Sequence, residues 1–157
     1  MSDSAFYEDA VDETTQVVKG LLVDEGFEVV EEVLLPDEFE KIATCLRDIA
    51  DEDRADLVLT TGGTGFSPRD VTPEATESIL EKKTPGIVQA MMAASLAVTP
   101  RAMLSRMSAG IRKSCLIVNL PGSPKAAREN LEAILPALPH GLDTLKGGGA
   151  HGPRGKR

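Results

Sequence analysis

The sequence has few aromatic residues, cysteines and histidines, and it contains no long apolar run. Only 3% of its 157 residues are Phe, Tyr or Trp, so aliphatic side chains must fill the core. Two cysteines and two histidines, at spacings unlike those of metal sites, argue against a zinc centre or a disulfide framework. No stretch approaches the ~18 apolar residues of a membrane span, and no signal peptide is visible. We therefore expect a cytoplasmic protein without a membrane partner.

Charge and length limit the number of domains and the kinds of partner that we expect. With 41% hydrophobic residues, the chain is long enough for one domain with a substantial core. The net charge of −8 argues against a nucleic-acid partner. The end of the chain is glycine-rich and basic, so the net charge of the remaining residues is more negative than that of the whole chain. We predict a domain over residues 1–146 and a flexible tail over residues 147–157.

Hydrophobic periodicity predicts alternating strands and helices. Helices are expected over residues 11–25, 38–50, 73–82, 87–98, from residue 125, and over 137–145; strands are expected over residues 27–35, 56–61 and 114–120. Strands that alternate with helices of this length form βαβ units. The predicted fold is therefore an α/β three-layer sandwich, in which helices cover both faces of a mainly parallel sheet.

The most informative segment is TTGGTGFSPRDVTPEAT, at residues 60–76. It follows an apolar strand, and its glycines allow a sharp turn and a close approach to a ligand. Free N–H groups and the dipole of the helix that follows would form an anion pocket. The segment lacks the Gly-Lys-Ser/Thr of a P-loop and the third glycine of the dinucleotide fingerprint. It therefore predicts a site for a phosphorylated small molecule whose phosphate is bound by neither of these two motifs.

Two other strand ends carry polar or glycine-rich turns. Asp37 follows a strand and a proline, and it is either the N-cap of the next helix or part of the site. The segment NLPGSPK, at residues 119–125, is either a plain turn or a second phosphate cradle. Because ligands of parallel sheets bind at the carboxyl ends of the strands, we expect these loops to form one site.

The glycine segment resembles the signature of the molybdopterin adenylyltransferases, the bacterial MogA type and the G domains of gephyrin and its plant counterpart. The resemblance extends from about Gly26 to Lys146. It is carried also by TPGIVQAMMAASLAVTPRAMLSR, SAGIRKSCLIVNLPGSPKA and ILPALPHGLDTLKG. Similarity of this length and density implies the fold of that family, which usually assembles as a homotrimer.

The resemblance also implies an activity and a set of residues. The family transfers AMP from Mg-ATP to molybdopterin and releases pyrophosphate, a step of molybdenum cofactor biosynthesis. It implies Asp37 and Asp70 as catalytic residues and as ligands of Mg²⁺. It implies contacts to nucleotide or pterin from Thr61, Gly62, Gly63, Thr64, Gly65, Arg69, Thr72, Ser105, Arg106, Asn119, Pro121, Gly122, Ser123, Asp3 and Ser4. A molybdenum-insertion protein or fused domain is the implied partner.

The N-terminus departs from the family pattern. Members begin with a hydrophobic strand that leads into a T-V-S-D-S-like turn and a loop ending in D-x-S-G. Here the chain opens at Met1-Ser2-Asp3-Ser4, and Thr14-Thr15 stand where Ser-Gly is expected. We expect that the native product starts upstream or that the chain is an excised piece. Two alternatives remain: a catalytically weak molybdopterin-binding or scaffolding module, and another phosphate-handling enzyme of this fold, such as a CinA-type relative.

Overall fold

The computed structural model of the chain describes residues 12–148. Within them the α-helices are α1 (Glu13–Asp24), α2 (Phe39–Asp51), α3 (Thr72–Ile79), α4 (Pro85–Leu96), α5 (Pro124–Ile134) and α6 (Leu138–Leu145). The strands are β1 (Leu57–Thr61), β2 (Lys82–Lys83), β3 (Ala109–Arg112) and β4 (Cys115–Leu120). Short 3₁₀ helices span Pro100–Leu104 and Leu135–Ala137. All six predicted helices and two of the three predicted strands are confirmed, with small shifts at their ends.

The sheet has the strand order β1-β4-β3-β2. β1 and β4 are parallel, with Leu57 opposite Leu116 and Thr61 opposite Leu120. The pairs β3–β4 and β2–β3 are antiparallel, so this part of the sheet is mixed although the sequence predicted a mainly parallel one. The reason is a two-residue connection between β3 and β4, in which Lys113 has φ 51°. Such a tight turn reverses the chain and so makes the neighbours antiparallel.

The predicted strand over residues 27–35 is wrong. These residues belong to no strand, although their alternating, β-rich sequence favours one. A strand requires a neighbour with which to exchange backbone hydrogen bonds. No neighbouring strand pairs with this segment within the described residues. Side-chain periodicity alone was therefore not sufficient to predict a strand here.

Helices cover both faces of the sheet, which confirms the layered α/β fold. Alternate residues of β4 point to opposite faces. Leu116, Val118 and Leu120 join a core cluster with α1, α4, α5 and α6. Cys115 and Ile117 join a second cluster with α2 and α3. Because both faces are covered, every residue of β4 is buried, as expected for a central strand of an α/β sheet.

The first two helices are fixed in different ways. α1 is capped by Asp12, whose carboxylate accepts hydrogen bonds from the backbone N–H groups of Thr14 (3.1 Å) and Thr15 (3.4 Å). α2 has no side-chain cap. It is held instead by its apolar face, which buries Ile42, Ala43, Leu46, Ile49 and Ala50. Each large aliphatic residue buried there contributes roughly 1.5–3 kcal/mol.

Both cysteines are free thiols. Cys115 is buried, and burial raises the pKa of its thiol to about 12. Cys45 is only partly buried, and burial raises the pKa of its thiol as well. Neither position favours a reactive thiolate. In the part of the chain that the structure describes, no helix has the length and apolar character needed to cross a membrane.

An ion pair between Asp51 and Arg112 joins α2 to β3, with Nε and Nη2 of Arg112 donating to the carboxylate at 2.7 and 2.9 Å. These hydrogen bonds lower the pKa of Asp51 below its ordinary 3.8. A lowered pKa in the folded state stabilises the protein above the unfolded-state value, and this stability is lost as the pH falls through the folded-state value. The pair therefore stabilises the fold at neutral pH and not in strong acid.

We expect Asp51→Asn to lower the melting temperature at pH 7. The difference from wild type should shrink as the pH falls below 3.8, because the wild-type carboxylate then becomes protonated too. Thermal melts from about pH 2.5 to 7, followed by circular dichroism, measure this difference. Asp48→Asn on the same helix is the control and should show a smaller effect at pH 7. A difference independent of pH would contradict the prediction.

Candidate active site at the glycine loop

The glycine loop, residues 62–71, connects β1 to α3 at the carboxyl edge of the sheet. Gly62 and Gly63 have φ of 88° and 67°, values that favour glycine. The N–H of Gly62 donates to the carbonyl of Leu120 (3.1 Å), and the N–H of Thr72 donates to the carbonyl of Gly63 (3.2 Å). The start of the loop is therefore tied both to the end of β4 and to the first turn of α3.

Gly63 allows two polar side chains to approach the backbone. A Cβ at this position would lie 2.2 Å from Oγ1 of Thr72 and 3.2 Å from Oδ1 of Asp37. Thr72 is fully buried, and its hydroxyl has no hydrogen-bond partner within residues 12–148. An unsatisfied buried hydroxyl costs about 1–3 kcal/mol. Such groups require an explanation, and a ligand at this loop would provide one.

The position of Asp37 is not explained by helix capping. The N-cap of α2 is Glu38, and no side chain caps that helix. Oδ1 of Asp37 lies instead beside Gly63, 3.2 Å from the place of a Cβ on that residue. Of the two interpretations that the sequence allowed, the placement at the glycine loop fits the structure.

Asp70 lies at the other end of the same loop. Its Oδ2 accepts a hydrogen bond from the N–H of Ser67 at 3.1 Å. The same oxygen lies 2.9 Å from the place of a Cβ on Gly65. Asp70 is half-buried and Arg69 beside it is exposed. Carboxylates thus lie near two glycines of the loop: Asp37, from the segment before α2, at Gly63, and Asp70, from the loop itself, at Gly65.

The second loop, Leu120–Ser123, meets the glycine loop backbone to backbone. A Cβ on Gly122 would lie 3.3 Å from Cα of Gly62. The Thr14 hydroxyl donates to the carbonyl of Gly122 at 2.6 Å, and Ser123 caps α5 by accepting from the N–H of Ala126 (3.2 Å). The N-terminal ends of α1, α3 and α5 therefore meet at the two loops. The dipoles of these helices favour an anion there.

Arg106 donates hydrogen bonds to the backbone of the glycine loop. Its Nε donates to the carbonyl of Gly65 and its Nη2 to the carbonyl of Asp70, both at 2.7 Å. Its backbone N–H donates to the carbonyl of Thr64 at 2.7 Å, and its Nη1 pairs with Glu74 of α3. The sequence suggested Arg106 as an anion-binding residue. The structure uses its guanidinium to fix the loop backbone.

Asn119 joins several elements behind the two loops. Its side chain is fully buried, with Nδ2 donating to the hydroxyls of Thr60 (3.0 Å) and Thr76 (2.9 Å). Its Oδ1 accepts from the N–H of Ser108 at 3.1 Å. Both donors and one acceptor position of this amide are therefore used within the fold. Asn119 connects β4 to β1, α3 and the residue before β3, and its contact with a ligand stays a prediction.

The structure brings most of the predicted residues to one edge of the sheet. Around the two loops lie Asp37, Thr61, Gly62, Gly63, Thr64, Gly65, Arg69, Asp70, Thr72, Pro121, Gly122 and Ser123, with Ser105 behind them at 3.3 Å from the Thr64 hydroxyl. Asp3 and Ser4 lie outside the described residues. Sequence patterns had assigned no role to Thr14 or Glu74, although a threonine in a first helical turn is a usual donor. Within residues 12–148 no three His, Cys, Asp or Glu side chains form a metal cluster.

Gly63→Ala is expected to disrupt the loop. The new Cβ would lie 2.2 Å from Oγ1 of Thr72, and φ at this position is left-handed, which costs a non-glycine residue about 1–2 kcal/mol. We expect a loss of stability larger than that cost in urea unfolding. Gly26→Ala is the matched control, because Gly26 has φ 87° with no atom within 4 Å of a Cβ. Equal losses for both variants would contradict the close approach at Gly63.

Arg106→Lys is expected to loosen the glycine loop. Lysine cannot reproduce the fork of guanidinium donors, so the carbonyls of Gly65 and Asp70 lose their hydrogen bonds. Amide hydrogen exchange over residues 64–72 should become about 10-fold faster or more, as the loss of a hydrogen bond to a charged group implies. Arg128→Lys is the control, since Arg128 makes only an exposed pair with Glu132 at 3.4 Å. Unchanged exchange in Arg106→Lys would show that the guanidinium does not fix the loop.

Comparison with known proteins agrees with this geometry. The chain is 51% identical over 111 residues to the molybdopterin adenylyltransferase of Helicobacter pylori (strain ATCC 700392 / 26695). It is 53% identical over 111 residues to gephyrin of Dictyostelium discoideum. Both alignments include 71% of this chain, but only 63% and 15% of the respective relatives. The chain therefore spans less than two thirds of the length of either relative.

Solved structures and a family model extend the comparison. The molybdopterin biosynthesis enzyme MoaB of Thermus thermophilus superposes with a TM-score of 0.87 at 48% identity, covering 93% of this chain and 92% of that one. The family model described as a probable molybdopterin binding domain matches residues 1–140. This match covers most of the chain, including both loops of the site. The chain therefore belongs to the family of probable molybdopterin binding domains.

Proposed function

We propose that the chain is a molybdopterin adenylyltransferase that transfers AMP from Mg-ATP to molybdopterin in molybdenum cofactor biosynthesis. The observation that carries the proposal is the meeting of the glycine loop, the Gly122 loop and two carboxylates at one edge of the sheet. The names of the Helicobacter pylori relative and of other relatives indicate the same reaction.

The site suits phosphate groups although the protein is acidic. The net charge of −8 would repel an anionic ligand at long range. Locally, the first turns of α1, α3 and α5 direct N–H groups and positive dipole ends toward the two loops. We propose that the phosphates of ATP and the pterin phosphate bind there. The Thr72 hydroxyl, buried at Gly63, is the donor that we assign to one of these phosphates.

Asp37 and Asp70 are the carboxylates that we assign to Mg²⁺. Magnesium is usually held by one or two carboxylates together with waters and substrate phosphates. A pair of aspartates at the glycine loop fits that requirement without a larger acidic cluster. When bound, the ion would neutralise phosphate charge during the transfer.

The reaction requires no nucleophile from the protein. A terminal phosphate oxygen of molybdopterin attacks the α-phosphorus of ATP and forms a new P–O bond. The bond between the α-phosphorus and the bridging oxygen breaks, and pyrophosphate leaves with that electron pair. The protein contributes positioning and charge stabilisation. In this scheme Arg106 and Asn119 are positioning residues, because they fix the loop and the strand ends.

Assembly forms part of the proposal. The end of α4 and the 3₁₀ helix after it expose four apolar side chains: Leu96 (43%), Val98 (52%), Met103 (62%) and Leu104 (48%). Contiguous exposed apolar surface favours contact with another protein. We propose a homotrimer in the cytosol that uses this surface. The length of the gephyrin relative, of which 15% is covered, supports a fused domain or a molybdenum-insertion protein as a further partner.

Asp70→Asn is expected to lower molybdopterin-dependent pyrophosphate release from Mg-ATP by about 10²–10³-fold, the usual cost of losing one placed electrostatic group. The amide keeps the shape and still accepts the hydrogen bond from Ser67, so the fold should remain. A coupled pyrophosphate assay measures the rate, and circular dichroism checks the fold. Asp24→Asn at the exposed end of α1 is the matched control.

The outcomes separate the hypotheses. Wild-type release in Asp70→Asn would remove Asp70 from the mechanism. No release by the wild-type chain, combined with tight binding of molybdopterin, would favour a catalytically weak binding module. No binding of the pterin would overturn the proposed function as a whole.

A further inference from the structure

Phe66 has the most exposed large apolar side chain among the described residues. Its exposed fraction is 67%, and the next highest value is 62%, for Met103. The whole chain has four phenylalanines. Of the others within residues 12–148, Phe27 packs on the core and Phe39 is 38% exposed. Phe66 is therefore the aromatic ring that the described structure presents most fully to its surroundings.

The position of Phe66 distinguishes it from an ordinary surface residue. Single exposed apolar side chains are common on proteins and require no explanation. Phe66, however, belongs to the glycine loop, directly after Gly65 and four residues before Asp70. At the end of this loop the fully buried Thr72 hydroxyl has no hydrogen-bond partner within the described residues. The exposed ring and the unsatisfied hydroxyl are thus two independent observations that indicate a ligand at the same loop.

The backbone is fixed on both sides of Phe66. Before it, the carbonyl of Gly65 accepts a hydrogen bond from Nε of Arg106 at 2.7 Å. After it, the N–H of Ser67 donates to Oδ2 of Asp70 at 3.1 Å, and the carbonyl of Ser67 accepts from the N–H of Asp70 at 2.9 Å. The loop therefore sets the backbone position of the ring. A side chain that is positioned in advance binds a ligand at a lower entropy cost.

The chemistry of Phe66 limits what it can bind. A phenyl ring has no charge and no hydrogen-bonding group, so it contributes stacking and apolar contact. Aromatic rings stack with an offset, and such stacking accepts different heterocycles because each has a π-face. In the proposed function both substrates join phosphate to a nitrogen heterocycle, which is adenine in ATP and a pterin in molybdopterin. Each substrate therefore offers a ring that Phe66 could contact.

We propose that Phe66 is a substrate-binding residue whose ring stacks on the heterocycle of a ligand that places its phosphate at the glycine loop. The inference rests on the proposed function for the identity of the two candidate heterocycles, adenine and pterin. The loop then recognises both parts of the ligand: its backbone and Thr72 contact phosphate, and Phe66 contacts the ring. Pyrophosphate has no ring, so this contact does not retain it after the transfer.

Steady-state kinetics of pyrophosphate release test the contact. Phe66→Leu keeps an apolar side chain but removes the π-face. It should raise the KM of the substrate whose ring stacks by about 5- to 150-fold. The kcat and the KM of the other substrate should stay near wild type, because a contact made equally in the ground and transition states affects KM alone. Phe66→Tyr keeps the ring and should restore the wild-type KM. Val23→Leu, at a position 54% exposed near the end of α1, is the control.

A fluorescence titration tests stacking without turnover. Because the chain contains no tryptophan, Phe66→Trp introduces a single indole fluorophore at the loop. Mg-ATP and molybdopterin are titrated separately, and the ligand whose heterocycle stacks should quench the emission to saturation. Sodium pyrophosphate should leave the emission unchanged. Val23→Trp is the matched control, since Val23 is 54% exposed and lies near the opposite end of α1 from the loops, and its emission should show no saturable change.

The outcomes separate this inference from the proposed function, which pyrophosphate release by the wild-type chain decides. Saturable quenching in Phe66→Trp without pyrophosphate release would support stacking and reject the adenylyltransferase. No quenching by either ligand, or unchanged KM values in Phe66→Leu, would overturn stacking whether or not the wild type releases pyrophosphate. A smaller oligomer in Phe66→Leu, measured by light scattering, would also overturn it, because a second copy of the chain would then cover the ring.

Discussion

The parallel pairing of β1 with β4 determines where the site is. Thr61 lies opposite Leu120 at the last step of the register, so the glycine loop and the Gly122 loop start side by side. The Gly62 N–H then continues the pairing to the carbonyl of Leu120 at 3.1 Å. The absence of a side chain on Gly122, whose Cβ would lie 3.3 Å from Cα of Gly62, favours this close approach of the two turns. A shift of either strand would separate the loops, and with them the helix ends that meet there.

The candidate site combines an acidic protein with a local arrangement that favours anions. Its positive character comes from helix N-termini and backbone N–H groups, which act over a single turn. Arg106, which holds the loop, is engaged with backbone carbonyls and with Glu74. Arg106 therefore fixes the conformation of the loop, whereas the backbone N–H groups and helix dipoles provide the positive electrostatic potential. In the proposed function, the carboxylates near Gly63 and Gly65 would hold the cation that joins protein and phosphate.

Local sequence patterns predicted the helices, β1, β4 and the position of the two loops at the ends of these strands, because periodicity and turn residues report on short-range structure. They failed where the result depended on distant partners. The segment 27–35 has a strand-like pattern, yet its state depends on a neighbour that the pattern does not encode. Asn119 stands in a loop-like motif, and the hydrogen bonds of its buried amide to Thr60, Thr76 and Ser108 were likewise not predicted. Nothing local indicates which elements a polar side chain cross-links.

The 3₁₀ helix Pro100–Leu104 connects an exposed apolar surface with the residues that fix the glycine loop. Met103 and Leu104 are exposed, and the next two residues, Ser105 and Arg106, contact the glycine loop. A partner that packs on this helix would therefore be one or two peptide bonds from the groups that hold the loop. Linkage requires that any such effect be reciprocal: a ligand that orders the loop also changes the affinity of the surface for its partner. Subunit concentration would then act as an effector of the site.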